Sequence, residues 1–197
     1  MSVATLALIA ATKPSLMMWY LTRATATSAY IALSLSIILG LLRALARQAS
    51  EHVSWLVDEM HKTIATLAAL AVIGHLATVL LDPYLPFTLV NMLVPLNEPY
   101  HPLPAALGVL ALYAMALALL TSWLRRRIPY RWWRGIHYVS FVAFALVTAH
   151  GWITGSDSGE PWMRLIYSVA TGAVAALVIA RGFMTGLSLR AQASTIE

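Results

Sequence analysis

The stretch MHKTIATLAALAVIGHLATVLLD, Met60 to Asp82, decides how this chain is read. It is an apolar run of the length that crosses a bilayer, about 20 residues, yet it holds His61 near one end and His75 deeper in. Ionisable side chains are costly inside a membrane, so their presence there calls for a function. A second stretch, WWRGIHYVSFVAFALVTAHGWI from Trp132 to Ile153, repeats the arrangement with His137 and His150. The second histidine stands fourteen positions after the first in one stretch and thirteen in the other.

Composition agrees with a membrane protein. The chain has 197 residues, 60% of them hydrophobic and only 11% charged, with a mean hydropathy of +0.75. That lies outside the range of water-soluble domains. The net charge of +5 does not imply nucleic acid, because Lys and Arg sit in clusters beside the apolar runs, where orientation signals belong. Cysteine is absent, which excludes disulfides and thiolate metal sites.

Five spans are expected. Residues 1–18 contain the short run Val3 to Ala11, ended by Lys13 and Pro14; without a basic n-region it is expected to lie at the membrane surface rather than be a cleaved signal. The first span is Trp19 to Leu42. Arg43 to Glu59 has Val53, Leu56, Val57 and Met60 at helical spacing and is expected to be a short interfacial helix, with His52 solvated. After the second span, Asp82 to Pro104 carries six of the nine prolines and is expected to be irregular, a lid over one end that includes His101. The third span is Ala105 to Leu124, the fourth carries the second histidine pair, and Pro161 opens the fifth, which ends near Met184. One domain thus covers 19–186, and the polar tail 187–197 lies outside the bilayer. Counting Lys and Arg puts ten on one side (Arg43, Arg47, Lys62, Arg125, Arg126, Arg127, Arg131, Arg134, Arg181 and Arg190) and Lys13, Arg23 and Arg164 on the other. The positive-inside rule then places the N terminus outside and the C terminus in the cytoplasm.

The second and fourth spans run in the same direction, so His61 pairs with His137 at the inner end and His75 with His150 toward the outside. Fourteen helical residues advance about 21 Å, which stacks two sites within a hydrocarbon core about 30 Å thick. Neutral imidazole is a good axial ligand for haem iron, and an apolar pocket suits the macrocycle. Two stacked haems are the favoured reading; a proton or metal-ion pathway is the alternative. Zinc is disfavoured, since ligands about 21 Å apart cannot share one ion. Gly74, Gly135 and Gly151, near the histidines, are expected to make room for a flat cofactor. One point conflicts with a straight fourth helix. At about 100° per residue, the thirteen-position spacing leaves His137 and His150 roughly 140° apart around it, so that helix is expected to be distorted or its rings to reach around from different sides.

The chain resembles the ferric reductase-like transmembrane domain family, which includes the membrane parts of NADPH oxidases and ferric reductases and the haem subunit of the bacterial methionine sulfoxide reductase system. The resemblance rests on the histidine pairs, on WYLTRATATSAY opening the first span, WWRGIHY opening the fourth and HGWITGSDS closing it, and it covers about Trp19 to Met184. It implies an all-α bundle with two b-type haems, His61 and His137 on the inner one and His75 and His150 on the outer. It also implies electron transfer from a cytoplasmic-side donor to an outer-side acceptor in a bacterial cytoplasmic membrane. Arg131 and Arg134 by position suit propionates of the inner haem, and Arg23 or Arg164 those of the outer; for Arg131 and Arg134 orientation alone is an equal explanation, and Arg23 alternatively snorkels to the interface. No catalytic constellation is visible, and no G-x-G-x-x-G or phosphate-binding loop. The donor is therefore expected to be a separate flavoprotein, a free flavin, a quinol or another redox subunit, and the protein a haem subunit of a reductase or oxidase system. The alternative is a haem-bearing anchor subunit of a larger membrane complex, with no substrate of its own.

Overall fold

The histidine-bearing runs are helical almost from end to end, and so is nearly everything that flanks them. The computed structural model describes residues 16–46, 50–83, 87–99 and 101–193, and among these it contains helices and no strands. In chain order they are α1 (Met17–Ala46), α2 (Glu51–Leu81), α3 (Leu89–Leu93), α4 (Pro102–Trp123), a 3-10 turn at Arg125–Arg127, α5 (Tyr130–His137), α6 (Val139–Thr154) and α7 (Pro161–Ala193). Five stretches are long and apolar enough to cross a membrane: Met17–Arg43, Glu51–Leu81, Pro102–Trp123, Tyr130–Thr154 and Pro161–Thr185. The protein is an integral membrane helix bundle. The expected surface segment falls mostly on residues 1–15, outside the described residues.

Several serine and threonine hydroxyls inside these spans bond within their own helix, as a medium without water favours. Thr25 bonds to Leu21 O at 2.7 Å, Ser34 to Tyr30 O at 2.7 Å and Thr171 to Tyr167 O at 2.6 Å. The core joins Tyr30, Ile37 and Leu41 of α1 to Phe144 of α6 and to Met163, Tyr167, Ala170 and Val174 of α7. Tyr30 stacks on Phe144 at 6.1 Å and meets Tyr167 edge-on at 4.9 Å. α4 offers α6 a face of small buried residues, Ala106, Ala111, Ala114 and Ala118, the composition that lets membrane helices approach closely.

One expectation is corrected by the structure. No separate interfacial helix precedes the second span: α2 begins at Glu51, capped by Ser50, whose hydroxyl accepts from Val53 N–H. Nothing between Glu51 and His61 breaks a helix, so the amphipathic turns simply continue into the membrane. The fourth span is two helices, interrupted at Tyr138, where Tyr138 N–H bonds back to Gly135 O at 3.3 Å and Phe141 N–H to Tyr138 O at 3.0 Å. Such tightened turns rotate about 120° per residue instead of about 100°, which narrows the angle between His137 and His150 and realises the distortion expected there. The fifth span ends at Thr185, close to the expected Met184, and the helix backbone continues beyond it to Ala193.

Among its described residues the proline-rich segment before α4 is irregular, as expected, apart from the single turn α3, whose Thr88 and Asn91 form a reciprocal capping box. Its Met92 is buried, and Leu93 O accepts a hydrogen bond from Tyr113, so this segment lies against the middle of α4. His101 caps α4 with its backbone N–H on the Glu98 carboxylate. Pro161 opens α7 at its first position, where a missing N–H has no cost.

Candidate functional site

Four half-buried histidines occupy two levels of the bundle, and every one of them has its Nδ1 tied to the preceding long helix. His61 Nδ1 bonds to Ser36 O at 2.8 Å and His75 Nδ1 to Thr22 O at 3.3 Å, both acceptors being on α1. His150 Nδ1 bonds to Pro104 O at 2.8 Å, and His137 Nδ1 to Ser122 Oγ at 3.2 Å, both on α4. A carbonyl can only accept, so Nδ1 carries the proton in His61, His75 and His150. In the neutral ring Nε2 is then left with its lone pair. Thr22 and Ser36 are separated along α1 by the same fourteen positions as His61 and His75 along α2, which is the register of two antiparallel helices in contact.

Two glycines make these bonds possible. In a helix the side chain at i+4 covers the carbonyl of residue i, because side chains lean toward the N terminus. Ser36 is followed four residues later by Gly40, and Pro104 by Gly108, in SIILG and PAALG. A Cβ on Gly40 would stand 3.3 Å from His61 Cε1, and one on Gly108 only 2.9 Å from His150 Cε1. Thr22 is followed by Ala26 instead, and its bond to His75 is the longer one. The glycines singled out from sequence do other work: a Cβ at Gly74 would meet Thr25 and one at Gly151 the Tyr167 hydroxyl, while Gly135 has nothing within 4 Å.

The helices that carry the histidines do not pack along each other. α2 lies along α1, and α6 along α4, but α2 runs against neither α5 nor α6. Across that gap the His61 and His137 rings approach to 6.2 Å between centroids, at an interplanar angle of 78°. Among the described residues no group of three or more His, Asp or Glu is arranged to hold a metal ion; the donors come in twos.

The four arginines are not alike. Arg23 grips Asp157 through two bonds, Nε to Oδ2 at 2.8 Å and Nη2 to Oδ1, and lies 4.1 Å from the Trp19 ring. That bond ties α1 to the loop after α6, on the level of His75 and His150. Arg134 is exposed and donates to Tyr138 Oη at 3.0 Å. Arg131 and Arg164 are exposed.

Sequence reasoning missed Gly40, Gly108, Asp157, Ser122 and Trp133. Buried Trp133 stacks on His137 at 5.2 Å and 23°, and its Nε1–H reaches Ser122 Oγ at 3.4 Å. It also lines a cleft with Arg43, Ser54, Asp58, Arg125 and Tyr130, in which Arg43 is held by Asp58 through Nη2 to Oδ2 at 2.8 Å and a second bond from Nε. The sequence signal for the glycines was there, in the x-x-L-G that follows both Ser36 and Pro104.

Among protein families, the one described as ferric reductase like transmembrane component has a model that matches residues 25–148. The match takes in His61, His75 and His137, and His150 lies just past its end. No curated protein and no solved structure matches the chain.

Proposed function

The chain belongs to the ferric reductase like transmembrane component family, and on that premise we propose that it moves electrons across a membrane through two b-type haems, one held by His61 and His137 and the other by His75 and His150. The observation that carries this reading is the 6.2 Å spacing of the His61 and His137 rings across a gap between helices. Two imidazoles on one iron, each with a metal–nitrogen bond of about 2.0 Å and a ring radius of about 1.1 Å, have centroids about 6 Å apart.

Three further observations support the fit. Each Nδ1 is occupied by a partner on a neighbouring helix, so each ring is fixed with Nε2 as the remaining ligand atom. Gly40 and Gly108 clear the space in which two of the rings lie. Thr22 Oγ1, at the His75 level, is a buried hydroxyl without a hydrogen-bond partner in the protein, so it is available to a ligand there. Haem supplies a one-electron ferric–ferrous couple. The residues of this chain orient the ligands, keep water from them and set their basicity.

The basic end, with Arg125 to Arg127, is the cytoplasmic one in this reading, and the C terminus is cytoplasmic. Arg131 and Arg134 stand beside the first level and Arg164 beside the second, as candidate partners for propionates, whereas Arg23 reaches that role only by sharing its guanidinium with Asp157. A basic face of this kind suits an acidic electron-donor protein, a separate flavoprotein or other redox subunit; a quinol is the alternative donor. The cofactor-binding bundle is 19–186, and 187–197 is its cytoplasmic tail.

The test is transport of electrons. Phosphatidylcholine vesicles enclosing ascorbate and carrying the protein should reduce external ferricyanide faster than protein-free vesicles, and a His75→Ala protein should fall to the protein-free rate. Equal rates with and without the wild-type protein would overturn the proposal.

A further inference from the structure

Three of the four histidines lean on a backbone carbonyl, His61 with the Ser36 hydroxyl also at 3.3 Å, whereas the Nδ1 partner of His137 is a side-chain hydroxyl in place of a carbonyl. The reason lies in register. Pro104 and Ser122 are eighteen positions apart on α4, but the histidines they serve are separated by thirteen, and the break at Tyr138 takes up part of the difference. The acceptor at the His137 level is therefore a hydroxyl reaching out from its helix. Ser122 Oγ gives its one proton to Ala118 O at 2.7 Å. Its lone pairs are left for two donors, His137 Nδ1–H at 3.2 Å and Trp133 Nε1–H at 3.4 Å.

We infer that Ser122 is a positioning residue for His137 which, by dividing its oxygen between His137 and Trp133, tunes the reduction potential of the haem bound there. This rests on the haem reading above. An acceptor on Nδ1 pulls the proton away from the ring and makes the imidazole a stronger electron donor, which favours ferric over ferrous iron. An alcohol oxygen is a weaker acceptor than an amide carbonyl, and one shared by two donors is weaker still. His137 is consequently the least basic of the four ligands. Trp133, by competing for the same oxygen, holds it there. Unlike the three carbonyls, this acceptor can be altered by substitution without touching the backbone.

The experiment is a potentiometric titration of the purified protein, followed in the visible haem bands, on the wild type and three variants. Ser122→Ala removes the acceptor and should raise the potential of one haem, by on the order of 59 mV, the one-electron equivalent of a tenfold change in relative affinity for the two oxidation states. Trp133→Phe keeps the stacked ring but removes the competing donor, and should lower the potential of that same haem. Ser122→Thr keeps the hydroxyl and should restore the wild-type value, and the second haem should not move in any variant. The opposite signs are what a merely structural role would not produce. If Ser122→Ala sheds its haem, Trp133→Phe alone decides the sign. Shifts in one direction for both variants, or no shift while both haems stay bound, would overturn the inference; a wild-type protein that binds no haem would instead remove the functional reading beneath it.

Discussion

His61 and His137 face each other at 6.2 Å across helices that are not packed together, with their ring planes nearly perpendicular at 78°. Each is anchored from behind, His61 by Ser36 O and His137 by Ser122 Oγ. In the reading proposed above, one iron would be held between these two rings. If one haem sits at each level, His61→Ala and His137→Ala should each lose about half of the bound haem, and the same half. His75→Ala and His150→Ala should lose the other half. Haem content after extraction measures this, and a single variant that empties both sites would break the assignment into pairs.

Gly108→Ala should be damaging, because the new Cβ would lie 2.9 Å from His150 Cε1 and 3.0 Å from Nδ1. Overpacking of this kind costs about 1–3 kcal/mol. Gly40→Ala, with 3.3 Å to His61, should be milder. Gly172 is the control: nothing lies within 4 Å of a Cβ there, so Gly172→Ala should be neutral or stabilise by up to about 1 kcal/mol through helix propensity. Thermal unfolding in detergent, read together with haem content, ranks the three.

Asp157→Asn should loosen the end of the bundle where Arg23 and Asp157 meet. The pair is only partly shielded, with side-chain exposures of 29% and 12%, so its net worth is about 1 kcal/mol rather than that of a buried ion pair. A double-mutant cycle with Arg23→Gln measures it. The double variant should be no less stable than the worse single one, whereas additive losses would mean that the two side chains act independently.

Phe144→Ala removes the ring that stacks on Tyr30 at 6.1 Å. In a water-soluble core such a change costs roughly 3–5 kcal/mol. Here the expected loss is smaller, because lipid tails are as apolar as the site and only packing is forfeited. Unfolding by increasing SDS fraction in mixed micelles would give the number; a loss as large as in soluble cores would contradict the membrane setting of this contact.

What the sequence made legible is what repeats within a single helix. Apolar length located five spans, and the spacing of His61 from His75 placed two histidines on one side of α2. The angular conflict between His137 and His150 left a distorted fourth helix as one of its readings, and the structure shows a break at Tyr138. What was not legible depends on the register between helices. Arg23 and Asp157 lie 134 positions apart and meet only in the fold, and no local pattern joins them. Gly40 and Gly108 matter because a histidine from another helix reaches over them, so glycines adjacent to the histidines in sequence drew attention instead. The Arg43 to Glu59 segment misled because amphipathic spacing looks the same in a helix lying on the interface and in one whose first turns emerge from it.

The most direct measurement of the central claim is the ratio of protohaem to polypeptide in the purified, detergent-solubilised protein, determined as the pyridine complex against quantitative amino-acid analysis. Two haems per chain is the predicted result, with a b-type difference spectrum on reduction. A preparation that is folded by circular dichroism yet carries no haem, and takes up none when hemin is added, would contradict the account.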